Sequence, residues 1–87
     1  MMIGSFAKVK AGHDKGKIYL IINEESEYVY LIDGFHRTCE NPKKKNRKHI
    51  QPILKYGNQT IKEQLVTKQP LNNEEIRKIV QEVMENV

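Results

Sequence analysis

The sequence predicts a mainly β domain completed by a C-terminal helix, and three patterns carry that reading. "KIYLIINE" and "EYVYLID" are rich in β-branched and aromatic residues and are separated by the polar Glu24, Glu25 and Ser26, as a hairpin would be. Both runs place apolar residues on both sides of the pleat: Ile18, Leu20 and Ile22 against Tyr19 and Ile21 in the first. Such a sheet either rolls up or has something packed on its outside. The third pattern is "NNEEIRKIVQEVMENV", where Ile76, Ile79, Val80, Val83, Met84 and Val87 fall on one helical stripe. At 87 residues the chain supports one domain with a small core.

Taken in order, "SFAKVKA" alternates Phe6 and Val9 with Lys8 and Lys10 and makes an acceptable first strand. Gly12 and Gly16 bracket its exit in "GHDKG", where the chain can turn tightly. The hairpin follows. Asp33-Gly34 then reads as a two-residue type I′ turn, which would pair Ile32 with Phe35, Tyr30 with Arg37 and Val29 with Thr38. Ile50, Pro52 and Ile53 suit a strand edge, Gly57-Asn58 a turn, and Ile61 with Leu65 either a short helix or a strand. Asn72 and Glu75 form a capping pair for the last helix, with Glu74 and Glu75 at the positive end of its dipole.

The formal net charge is +4, but it is unevenly placed. Residues 1–34 and 56–87 each carry four Lys/Arg against five Asp/Glu, whereas residues 35–55 carry seven against one. A single-sign block points to a polyanion, nucleic acid first and an anionic membrane surface second. The block centres on "PKKKNRKHI", where Lys43, Lys44, Lys45, Arg47 and Lys48 are joined by His49, with Arg37 upstream. Lysine binds phosphate as a point charge, and arginine adds a planar fork for two oxygens. The competing reading of the run is a solvated loop that serves solubility.

Other chemistries find less support. Cys39 is the only cysteine, which excludes an intramolecular disulfide and fits a reducing cytosol. Cys39 with His13, His36 and His49 shows no metal-ligand spacing, so no metal is expected. His36 and Cys39 lie three apart, on opposite faces of a strand, which disfavours a nucleophilic dyad. "AGHDKGK" lacks the glycine spacing and the Lys-Ser/Thr of a phosphate-binding loop for nucleotide hydrolysis. Tyr19, Tyr28, Tyr30, Phe35 and Tyr56 have the rings to stack on bases, although core filling suits most of them, and the tyrosines paired beside Arg37 are the better candidates. No signal peptide is read at the N-terminus, and the apolar runs are too short to cross a bilayer.

"KVKAGHDKGKIYLIINEESEYVYLIDG" resembles the KOW motif, a strand-loop-strand element with a central glycine, here Gly12. "DGFHRTCENPKKKNRKHI" resembles the segment that follows it in the archaeal and eukaryotic large-subunit ribosomal proteins numbered fourteen, six and twenty-seven, and in small bacterial KOW domain-containing RNA-binding proteins. The resemblance spans roughly residues 3–55. It implies a small SH3-like β-barrel of KOW type; together with the helical stripe this reads as a barrel over residues 1–69 with the basic segment at 37–49, and an amphipathic helix at 70–87 packed on it. It also implies RNA or ribonucleoprotein binding without catalysis or cofactor. Gly12, Asp14, Gly16 and Lys17 match the motif loop, Asp33, Gly34 and Arg37 the second turn, and Pro42, Lys43, Lys45, Lys48 and His49 the basic segment. His13 stands where an arginine is expected.

The resulting expectation is a cytoplasmic, monomeric protein that holds ribosomal RNA, or the ribosome, by phosphate contacts through Arg37, Lys43, Lys44, Lys45, Arg47, Lys48 and His49, aided by Lys15 and Lys17. The alternative is a protein-interaction module of the transcription or translation machinery, docking through the helix stripe.

Overall fold

A computed structural model describes residues 3–53, 59–67 and 71–86. Five antiparallel strands form one sheet: β1 (Phe6–Val9), β2 (Ile18–Glu24), β3 (Tyr28–Ile32), β4 (Lys43–Asn46) and β5 (Ile50–Ile53), in the order β4-β3-β2-β1-β5. Two helices follow, α1 (Gln59–Val66) and α2 (Asn73–Asn86). No helix among the described residues is long and apolar enough to cross a membrane.

The sheet has to roll. β4 and β5 lie at opposite ends of the strand order, yet only the 3-10 turn Arg47–His49 joins them. Such a turn advances about 6 Å, whereas the outer strands of a flat five-stranded sheet would lie about 19 Å apart. Rolling encloses one face, where Ala7, Val9, Tyr19, Ile21, Val29, Leu31 and Ile50 form a buried cluster. The other face carries Phe6, Ile18, Leu20 and Ile32, which pack with Ile61 of α1 and with Ile76, Val80 and Val83 of α2. The two-sided apolar pattern is thus satisfied by both devices together. Pro52 is tolerated in β5 because that strand is an edge, paired with β1 alone.

The helix signals act as their chemistry dictates. Asn72 Oδ1 accepts from the Glu74 and Glu75 amides at 2.9 and 3.2 Å, which caps α2. Ile76, Val80 and Val83 are buried, Ile79 is half-buried, and Met84 is exposed at the stripe's margin. Burying each aliphatic side chain contributes about 1.5–3 kcal/mol, so this stripe holds α2 to the sheet. Ile61 and Leu65 belong to a helix, α1. The turn read at Gly57-Asn58, and Tyr56 and Val87, lie outside the described residues.

One turn departs from expectation. Asp33-Gly34 does not make a two-residue hairpin, and residues 35–38 are not a strand. The partner of β3 is β4, with Tyr28 opposite Asn46 and Leu31 opposite Lys43. The cause is the Asp33 carboxylate, whose Oδ1 accepts from the Phe35 and Arg37 amides at 2.9 and 2.8 Å and so winds the chain into a wider loop. The Arg37 carbonyl closes that loop by accepting from the Asp33 and Gly34 amides. Only an isolated bridge, Thr38 with Asn41, follows before β4.

Gly34 is required there for a second reason. Its φ is +78°, and a Cβ would collide with the Asn73 carbonyl oxygen and the Arg77 amide nitrogen of α2. Both atoms are backbone and cannot rotate away. Gly34→Ala is therefore expected to destabilise the fold by more than about 1 kcal/mol, beyond the ordinary loss of a glycine's freedom. The check is a lowered urea midpoint at unchanged m-value.

Candidate nucleic-acid interface

Within the basic segment, Lys43–Asn46 form strand β4 and Arg47–His49 the 3-10 turn. Pairing with β3 sets Lys43 and Lys45 opposite Leu31 and Val29, on the enclosed face, and Lys44 opposite Tyr30, on the other. Lys43 and Lys45 are half-buried: their stems lie along apolar neighbours and their ammonium groups reach out over the loop at 10–17. The Lys43 Nζ lies 2.5 Å from Asp14 Oδ2. The Lys45 Nζ rests so close to Gly12 that a Cβ there would be 3.1 Å from it. Lys44 is exposed, with its ammonium 4.4 Å from the centre of the Tyr28 ring. The tyrosines expected beside Arg37 thus stand beside Lys44.

The 3-10 turn continues this surface. Asn46 caps it by accepting from the Lys48 amide at 3.0 Å, which leaves the Lys48 side chain exposed. The His49 carbonyl accepts from the Lys10 amide at 2.7 Å and ties the turn to the end of β1. In the loop itself the Gly16 amide donates to Val9 and the Lys17 amide to Asp14, both with positive-φ glycines at Gly12 and Gly16.

Asp14 is the electrostatic centre of the loop. Lys43 at 2.5 Å and Lys17 at 3.2 Å hold its carboxyl down to about 2, the hydrogen bond from Lys43 being the largest cause and burial opposing it. The Tyr19 hydroxyl is pushed up to about 12, first by burial and then by the nearby charges of Asp14 and Asp33. Arg37, whose charge acts in the opposite sense on Tyr19, is half-buried beside this group. Its backbone closes the loop after β3 by accepting from the Asp33 and Gly34 amides.

Two nitrogens of the Arg47 guanidinium, expected to form a phosphate fork, are engaged within the fold. Its Nη2 is 3.0 Å from Glu24 Oε2, and Nε and Nη2 both donate to the Glu25 carbonyl, at 2.8 and 2.5 Å. Its amide also donates to the Glu27 carbonyl. The guanidinium thus clamps the β2–β3 turn to the end of β4. Cys39 is half-buried against the core, and burial followed by the Glu40 charge raises its thiol, the wrong direction for a nucleophile. Among the described residues no three His, Cys, Asp or Glu side chains gather as a metal site would need.

Two lysines join the site that the charge count passed over. Lys8 on β1 and Lys10 just after it line, with Lys15, Gly16 and Gln51, a groove of about 470 Å³. The alternation of "SFAKVKA" already put both on the polar side of a strand; only the topology brings them to the loop and the 3-10 turn. Lys8, Lys10, Lys15, Lys44, Lys45 and Lys48 have no carboxylate in ion-pair reach among the described residues. Searches against known proteins return neither a matching family model nor a matching curated protein.

Two outcomes follow from the ion pairs. The lowered Asp14 value means the folded state resists protonation, so the stability it contributes is complete above its ordinary value of 3.8 and is lost as pH falls through about 2. Asp14→Asn should lower the urea midpoint at neutral pH, and its gap from the parent should narrow as pH falls from about 4 to about 2. Arg47→Ala should lower stability by about 1–3 kcal/mol, because it strands partly buried partners. Its thermal midpoint should fall accordingly.

Proposed function

We propose that this protein is a cytoplasmic, non-catalytic RNA-binding protein that holds structured RNA, ribosomal RNA foremost, by its phosphate backbone. The observation that carries the reading is the set of six lysines without carboxylate partners among the described residues, Lys8, Lys10, Lys15, Lys44, Lys45 and Lys48, carried by paired strands, a hydrogen-bonded loop and the 3-10 turn. Three acids of the neighbouring loops are already engaged: Asp14 by Lys43 and Lys17, Glu24 by Arg47, and Glu25 by the Tyr30 hydroxyl at 2.6 Å. A polyanion therefore meets a positive surface that costs little further ordering.

A rolled sheet of five antiparallel strands with a terminal helix fits the SH3-like barrel that the KOW resemblance implies. The resemblance places the RNA contact on the same segment that forms β4 and the 3-10 turn. Lysines bind phosphate as point charges, so affinity should depend weakly on base sequence. The protein-interaction alternative drew on the helix stripe, and Ile76, Val80 and Val83 of that stripe are spent on the sheet.

With about four to six phosphates neutralised, log K should fall against log salt concentration with a slope of about −3 to −5. Lys44→Glu, Lys45→Glu and Lys48→Glu together, or Lys8→Glu with Lys10→Glu, should each weaken binding at least tenfold and flatten that slope. Filter binding of a ribosomal RNA fragment across a salt series measures both. A slope near zero, or full retention of binding by the variants, would sink the proposal, and capture of a partner that survives nuclease would favour the protein-interaction reading.

A further inference from the structure

Phe35 is an unusual residue in this fold: it is 55% exposed, although no other large apolar side chain lies in the loop between β3 and β4. It is not idle. The Arg77 guanidinium of α2 stands 4.3 Å from its ring centre, and the His36 ring meets it edge-on at 4.2 Å. These three planar groups form one wall of a cleft of about 360 Å³ between the start of β2, the β3–β4 loop and α2. Ile18, Val80 and Met84 give it an apolar floor, and Lys17 and Arg77 place two cations on its rim. Among the described residues Asp33 is the one acid in the lining, and its Oδ1 already accepts from two backbone amides.

We infer that this cleft captures one unpaired base of the bound RNA. The inference rests on the RNA-binding reading and adds to it a contact that the lysine surface cannot make. A nucleotide presents a flat apolar face and a phosphate next to it, which match the Phe35–His36 wall with its apolar floor and the Lys17–Arg77 rim respectively. A cleft of this size is within the range of small-ligand sites. The loop that holds Lys17 through Asp14 also borders the lysine groove, so one strand reaches both. Gly34 fixes the wall in place, because its contact with Asn73 and Arg77 sets the loop directly on α2. The bound RNA is then read as a helix with a bulged or looped-out nucleotide rather than as a uniform duplex.

The test uses the full chain and two probes, a single-stranded RNA hexamer carrying one 2-aminopurine and an RNA duplex without unpaired bases. Stacking quenches 2-aminopurine, so the parent should quench it on binding. Phe35→Ala should abolish the quenching and weaken hexamer binding about tenfold, leaving duplex affinity and the salt slope unchanged. Arg77→Ala should reproduce the loss of quenching, which covers the case in which Phe35→Ala fails to fold. Binding of the hexamer without quenching, or equal affinity of parent and variants for it, would overturn the inference while the backbone-binding proposal stands. Salt-insensitive binding of both probes, or none, would overturn both. Binding of an acidic, aromatic peptide that Phe35→Ala removes, with no quenching by RNA, would assign the cleft to a protein partner and overturn the inference as well.

Discussion

The structure depends on β2 having no face that tolerates water. Ile18 and Leu20 point to one side and Tyr19 and Ile21 to the other, all of them buried, in a domain too small to place a second sheet against either side. One face is therefore covered by helix and the other by the sheet's own curvature. Rolling has a geometric consequence: it brings the first and last strands of the sheet to within a three-residue turn of each other. That turn and the strand before it are the most basic part of the chain. The position of the charge is thus set by the burial requirement of a neighbouring strand.

Charge in turn fastens the roll. Lys43 reaches from β4 to Asp14 in the β1–β2 loop, and Arg47 reaches from the 3-10 turn to Glu24 and Glu25 in the β2–β3 turn. Both contacts cross between segments distant in sequence, and both are partly buried, where an ion pair is screened less than at the open surface. The cations of the basic segment therefore divide by geometry. Lys43 and Arg47 hold the segment in place, and Lys44, Lys45 and Lys48 remain available. A uniform view of the run as either a binding element or a solvated loop misses that division.

How much was legible in the sequence follows from how local each signal is. The α2 stripe and the Asn72 cap need only the helical period, and both appear in the structure where the spacing puts them. The two-sided character of the strands was likewise visible, since it needs only alternation. Asp33-Gly34 was misread because the pair is ambiguous on its own: the same carboxylate that suits a tight hairpin can instead accept the amides two and four residues on. What decides is Gly34 packing against α2, a contact with residues about forty positions away. β4 was hidden because lysine is a poor strand former, and "KKKN" becomes a strand only through its partner β3 and the closure of the roll. Lys8 and Lys10 were passed over because segment charge treats each acid as cancelling its sequence neighbours. Here Asp14 pairs with Lys43 as well as with Lys17, and Glu24 pairs with Arg47, so Lys8, Lys10 and Lys15 of the first third keep no ion-pair partner among the described residues.

A plainer account of the lysines deserves its own physical answer. β4 ends the strand order, and edge strands are commonly charged to prevent pairing with another molecule's sheet. That account explains Lys44, which projects from an edge. It does not explain Lys8, which sits on β1 between β2 and β5 with both sides of its strand paired and no edge to protect. Nor does it explain Lys15, which lies on a loop, or the groove that Lys8, Lys10 and Lys15 line together. Mutual repulsion among uncompensated cations raises the energy of the folded state, and a fold with acids to spare in its first third has used them elsewhere. A bound polyanion would relieve that repulsion, whereas edge protection would not, and this is the physical ground on which the proposed phosphate contact is preferred to edge protection.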